Sequence, residues 1–168
     1  MRGLIHCLLA LAPLAAQAPA PKVDPLAPLR FLAGTWKGVG GGQPGAAQGE
    51  ATFHFELQGR ALVRRSFADL PAAQGRLAGR HEDLTTIWSE GGQVRALYLD
   101  NEDHAIRYLV ETSPEGAVFT SEVGPGPRFR LVYRRQGEGH LAFRFEIAPP
   151  QAPEAFKVYL QAELRRAE

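Results

Sequence analysis

The side chains best equipped for chemistry are thinly spread along this chain. Beyond the N-terminal segment the histidines are His54, His81, His104 and His140. No two fall at the i, i+2 or i, i+4 spacing that places two ligands on one face. His81-Glu82-Asp83 is the densest polar cluster, and an imidazole beside carboxylates suits zinc or a general base. It follows the Gly79-Arg80 turn, so the plainer expectation is a loop entering a strand. Asp100, Glu102 and Asp103 offer oxygen ligands to calcium, but the spacing and glycine of a calcium loop are missing. A charged hairpin tip is expected there, and no metal site is assigned. Arg128, Arg130, Arg134, Arg135 and Arg144 make a basic face. Turned inward it would hold a carboxylate or phosphate, and turned outward it would keep the protein soluble. The outward orientation is expected, because Phe129, Leu131, Phe143 and Phe145 make the better core face. Trp88, Tyr98, Tyr108, Tyr133 and Tyr159 are the candidate ligand-binding residues, since small-molecule sites are mostly aromatic with a few polar tips. Ordinary core packing is the competing role for all five. The chain has no Gly-x-Ser-x-Gly elbow, phosphate loop or dinucleotide fingerprint, and no catalytic residue is assigned. Gly38 to Gly42 is rich in glycine but lacks the lysine and following helix of a nucleotide site.

The elements that must position these residues are short and alternating. From Gly34 onward, runs of alternate apolar and polar residues are separated by turn-rich clusters, the pattern of antiparallel strands. The runs are Thr35 to Val39, Glu50 to Leu57, Arg60 to Phe67, Glu82 to Ser89 and Gln93 to Leu99. They continue with His104 to Glu111, Ala117 to Glu122, Arg128 to Arg134, His140 to Ile147 and Phe156 to Arg165. Ala51, Phe53, Phe55 and Leu57 share one predicted face. The last run also fits a helical period, but Val158, Leu160, Ala162 and Leu164 favour a strand. Ahead of them, Asp24-Pro25 is placed to cap a short helical turn. About ten short antiparallel strands are best relieved of their edges by closing into an up-and-down barrel, which has room for a cavity. The expected fold is all-β, a barrel of about ten antiparallel strands with a short N-terminal helical turn.

The chain has 168 residues, with nineteen basic against eighteen acidic and a net charge of +1. That balance argues against a nucleic-acid partner. Residues 1–20 read as a secretory signal: Arg2, an apolar run from Gly3 to Ala16, then small residues at Ala16, Ala18 and Ala20. The barrel domain is then expected over 21–168, exported to a periplasm or secreted, with no transmembrane segment in the mature chain. Cys7 is the only cysteine and lies in the signal, so the mature chain has no disulfide, thiolate metal site or cysteine nucleophile.

Gly34-Thr35-Trp36 follows the helical turn and opens the first strand. This resembles the Gly-x-Trp signature of lipocalin-like (calycin) barrels. The resemblance implies that Gly34 allows a tight entry and Trp36 plugs the barrel base. It also implies that a terminal arginine, Arg165 or Arg166, packs on the indole. The stretch from Leu29 to Gly42 is similar to the opening of bacterial lipocalin-like families of unknown function and, more distantly, of nitrobindin-like haem-binding barrels. In the latter a histidine near the last strand ligates haem iron. Here Val158 to Leu164 holds no histidine, and Tyr159 stands about where it would fall. No cofactor is assigned, with haem as the alternative.

The leading expectation is an exported barrel that binds a small hydrophobic molecule in its cavity. A haem-binding or enzymatic barrel is the alternative, and a filled barrel that works through protein partners is the third. The oligomeric state is left open.

Overall fold

The computed structural model describes residues 24–39, 48–72 and 77–168. The expected signal peptide lies outside the described residues, as do Gly40 to Gly42. Every run expected from the alternation is a strand. They are β1 (Gly34–Val39), β2 (Gln48–Glu56), β3 (Ala61–Leu70), β4 (Gly79–Glu90), β5 (Gln93–Asp100), β6 (Ala105–Ser113), β7 (Gly116–Ser121), β8 (Arg128–Arg135), β9 (His140–Ala148) and β10 (Lys157–Arg166). Each pairs antiparallel with its sequence neighbour, and β1 pairs with β10 to close the barrel. Closure leaves no free sheet edge between the first and last strands. Among the described residues, no helix is long and apolar enough to cross a membrane.

Turn chemistry fixes the register. Glu90 pairs with Gln93, so Gly91 and Gly92 alone make the β4–β5 turn. Both have positive φ, 58° and 81°, as a two-residue hairpin of this hand requires. The β2–β3 turn differs from expectation. β2 stops at Glu56, and Leu57 enters a left-handed turn with φ 51° and 72 % exposure. Leu57 therefore does not join the inner face of Ala51, Phe53 and Phe55. The β9–β10 register shifts between Val158 and Leu160, which makes Tyr159 an extra residue in a bulge.

One end of the barrel is closed by a 3-10 turn, Ala27–Leu32. The Asp24 carboxylate accepts the Leu26 N–H at 3.0 Å and pairs with Arg30 at 2.9 Å, which folds the entry back on itself. Leu26, Leu29 and Leu32 are buried and join Trp36, Phe53, Leu62, Ile87 and Leu141 in the core. The Trp36 indole N–H donates to the Leu32 carbonyl at 2.7 Å. The Arg166 guanidinium lies 4.4 Å from the indole ring and donates to the Phe31 and Ala33 carbonyls. Gly34, at φ 115°, sits under that guanidinium; a Cβ there would lie 2.2 Å from Arg166 Nη1. Arg165 is exposed, pairs in register with Lys37 and His140, and does not reach Trp36.

Candidate functional site: the inner wall of the barrel

Strand alternation decides what faces the lumen. The row Phe53–Arg64–Thr85–Tyr98–Ile106 runs across β2 to β6 in direct register. The next row is Phe55–Leu62–Ile87–Ala96–Tyr108–Ser121, and Ala117–Tyr133–Phe143–Ala162 completes the opposite wall. Tyr98, Tyr108 and Tyr133 thus share the inner wall. Rings link Tyr108 and Tyr133 at the closed end: Phe53 to Tyr133 at 5.8 Å, Tyr133 to Phe119 at 5.8 Å and Phe119 to Tyr108 at 6.5 Å, all edge-on. Trp88 has the parity opposite to Thr85 and Ile87. It lies half-buried on the outer wall and takes no part in the lumen. Tyr159, at the bulge, is 58 % exposed and meets only the edge of Phe145 at 5.8 Å.

Toward the open end the inner wall divides in two. One side is apolar: Ile106, Phe129, Phe145 and Leu160 point inward yet remain half-exposed, and Phe129 and Phe145 stack at 5.9 Å. Exposure of residues that point into a closed barrel means the lumen is open to solvent there. The other side is polar. Arg64 Nη1 donates to Asp83 at 2.8 Å, and the Ser66 hydroxyl donates to the same carboxylate at 2.5 Å. The Asp83 side chain is 5 % exposed. A charge this buried holds its place only with such partners.

Next to it, Asp100 latches the β5–β6 turn. Its carboxylate accepts the Glu102 and His104 N–H groups at 2.9 Å each, the His104 ring at 2.8 Å and the Tyr98 hydroxyl at 3.0 Å. Burial alone would raise the Asp100 pKa, but these donors outweigh it and hold the carboxyl at about 2. Burial pushes the Tyr98, Tyr108 and Tyr133 phenols well above their ordinary value. His81 joins the latch, its Nε2 3.0 Å from the Tyr98 hydroxyl and its Nδ1 3.2 Å from Glu102. Ligand atoms of His81, Asp100 and Glu102 lie within 4.8 Å of one another. Asp100, however, already receives four donors, so the trio acts as a hairpin latch. It also carries the sequence cluster at residue 81 into a strand and not a loop, because β4 starts at Gly79.

Among the described residues, no histidine stands free inside the lumen to ligate haem iron. His54 faces outward against Glu56 at 2.9 Å, and His140 is exposed beside the Glu138 carbonyl. His81 is engaged at both nitrogens, and the Tyr159 phenol is at the rim. The residues present do not fit a haem iron at the position the nitrobindin-like resemblance implies.

Arg128, Arg130, Arg134 and Arg144 lie on the outer wall, whereas Arg135 has the inward parity of Tyr133 and packs 5.6 Å from the Phe31 ring of the 3-10 turn. Arg130 pairs with Glu146, which is 3 % exposed, and stacks 4.1 Å from the Phe156 ring. Arg128 donates to the carbonyls of Ser121 and Pro153 and pairs with Glu154. These contacts fasten the β9–β10 connection to the barrel, beyond the solubilising role the sequence suggests.

Sequence reasoning missed Arg64 and Thr85. The signal was available: Arg64 and Arg65 are adjacent in a strand, and alternation sends one of them inward. No protein-family model matches the chain, and no curated protein matches it.

Proposed function

We propose that this chain is an exported, lipocalin-like barrel that binds one small, largely apolar molecule in its lumen. The observation that carries this reading is the set of half-exposed apolar side chains on the inner wall, Ile106, Phe129, Phe143, Phe145 and Leu160. A barrel that was simply filled would bury them. The 3-10 turn and Trp36 close one end, so access is from the other. Ten strands leave enough girth for a ligand. Export is supported by the charge, apolar run and small residues of the N-terminal segment.

The test is native mass spectrometry of the protein purified gently from an exporting host. An added mass of a few hundred daltons that disappears on denaturation is expected. A bare chain mass, together with no uptake of the apolar dye N-phenylnaphthylamine, would sink the proposal.

A further inference from the structure

Between the ring-packed base and the open end, the inner wall holds an excess of hydrogen-bond donors. Arg64 uses Nη1 on Asp83, while its Nε is buried without a partner. The Thr85 hydroxyl, in register beside it, is buried and unpaired as well. Tyr108 and Tyr133 are each 2 % exposed, and no hydrogen bond is formed by either hydroxyl among the described residues; unlike Arg64 Nε and Thr85 Oγ1, neither phenol oxygen is wholly sealed from solvent. Phe53, in register beside Arg64, lies 5.8 Å from the Tyr133 ring, and Phe119 links that ring to Tyr108, which places the three groups around one region of the lumen. Native proteins pair nearly all such buried groups, so several unpaired ones together point to a ligand that supplies what they lack.

What they lack is an acceptor, and the local charge says which kind. The guanidinium is already balanced by Asp83 at 2.8 Å, and Asp100, with its side chain 3 % exposed, stands on the same wall. A carboxylate brought here would add a further buried anion with no cation left to meet it. An ammonium group would meet the Arg64 guanidinium, and the carboxylates on this wall are already engaged, Asp83 by Arg64 and Ser66 and Asp100 by four donors. A carbonyl oxygen takes two hydrogen bonds and brings no net charge.

We propose that the lumen recognises an uncharged, carbonyl-bearing head on an otherwise apolar ligand, through Arg64, Tyr108 and Tyr133. This inference rests on the lumen-binding reading above and adds the chemistry of the head. Tyr108 and Tyr133 hold the carbonyl by their hydroxyls, and Arg64 approaches it with its unpaired N–H edge. The chain of the ligand then runs toward Phe129 and Phe145 at the open end.

The test compares three probes of equal carbon number, methyl nonyl ketone, undecanoate and undecylamine, as competitors of N-phenylnaphthylamine at neutral pH. The ketone is expected to compete about tenfold more tightly than either charged probe, the worth of one to two hydrogen bonds and an avoided buried charge. Tyr108→Phe and Tyr133→Phe are each expected to weaken the ketone about three- to tenfold. Dye affinity is measured in each variant so that the competition is corrected for it, and thermal stability should be no lower, because neither hydroxyl is paired in the free barrel. Dye binding with undecanoate or undecylamine equal to or tighter than the ketone would overturn the head chemistry and keep the lumen reading. Unchanged ketone affinity in both phenylalanine variants would do the same. No dye uptake at all would overturn both.

Discussion

Arg64 is the residue on which the interior turns. It is the inward member of an adjacent arginine pair, and it is tolerated there because Asp83, opposite Ser66 and so diagonal to Arg64 across β3–β4, pairs with it. Arg64→Met should cost about 3–5 kcal/mol, since it strands a buried carboxylate. Urea unfolding should show most of that loss recovered in the double variant Arg64→Met, Asp83→Leu. A double variant as unstable as the single one would mean that Arg64 stabilises the barrel by some route other than its pairing with Asp83. The sequence pattern hides this pair for a physical reason. Along β3 and β4 the inner wall is apolar near the base and polar near the mouth, so hydrophobicity stops marking the inward face partway along these strands. Tyr98, Tyr108 and Tyr133 lie on the inner wall, but alternation alone does not mark them inward, because Leu97, Leu99, Leu109 and Val132 beside them are apolar as well. Trp88 misleads because bulk and aromaticity carry no parity, and Ile87 next to it takes the inward place.

At the scale of elements, two devices hold the ends. At the closed end, Trp36 is locked between the Leu32 carbonyl and the Arg166 guanidinium. Trp36→Ala should destabilise the fold by about 3–5 kcal/mol in chemical denaturation. A near-neutral effect would show that the 3-10 turn seals the base without it. At the open end, Asp100 organises the β5–β6 hairpin. Its folded pKa, about 2, lies below the ordinary 3.8, so its contribution is complete above the ordinary value. It is lost as pH falls from there through about 2. Asp100→Asn should therefore be less stable than the parent by about 1–2 kcal/mol at neutral pH, with the gap closing between pH 4 and pH 2. A gap constant with pH would contradict the latch. Strand number and order were readable because alternation and turn residues agree throughout. The exceptions are local: Leu57 yields to a left-handed turn, and Tyr159 is displaced by a bulge that no periodicity announces.

At the scale of the whole molecule, a closed ten-stranded wall is packed by the core at one end and leaves inward apolar side chains partly exposed at the other. The closure follows from sequence, because many short one-faced strands have no better way to lose their edges. The openness does not, because a filled barrel and a hollow one share the same alternation and differ only in side-chain volume. Apolar surface also exists outside: Leu99 and Leu109 are 40 % and 41 % exposed on the outer wall and are the competing place for an apolar molecule to settle. The most direct measurement is therefore a carbon-resolved NMR titration with N-phenylnaphthylamine. Saturable shifts at Ile106, Phe129, Phe145 and Leu160, with Leu99 and Leu109 unmoved, are the predicted result. Shifts confined to Leu99 and Leu109, with the inner wall silent, would contradict a ligand-binding lumen.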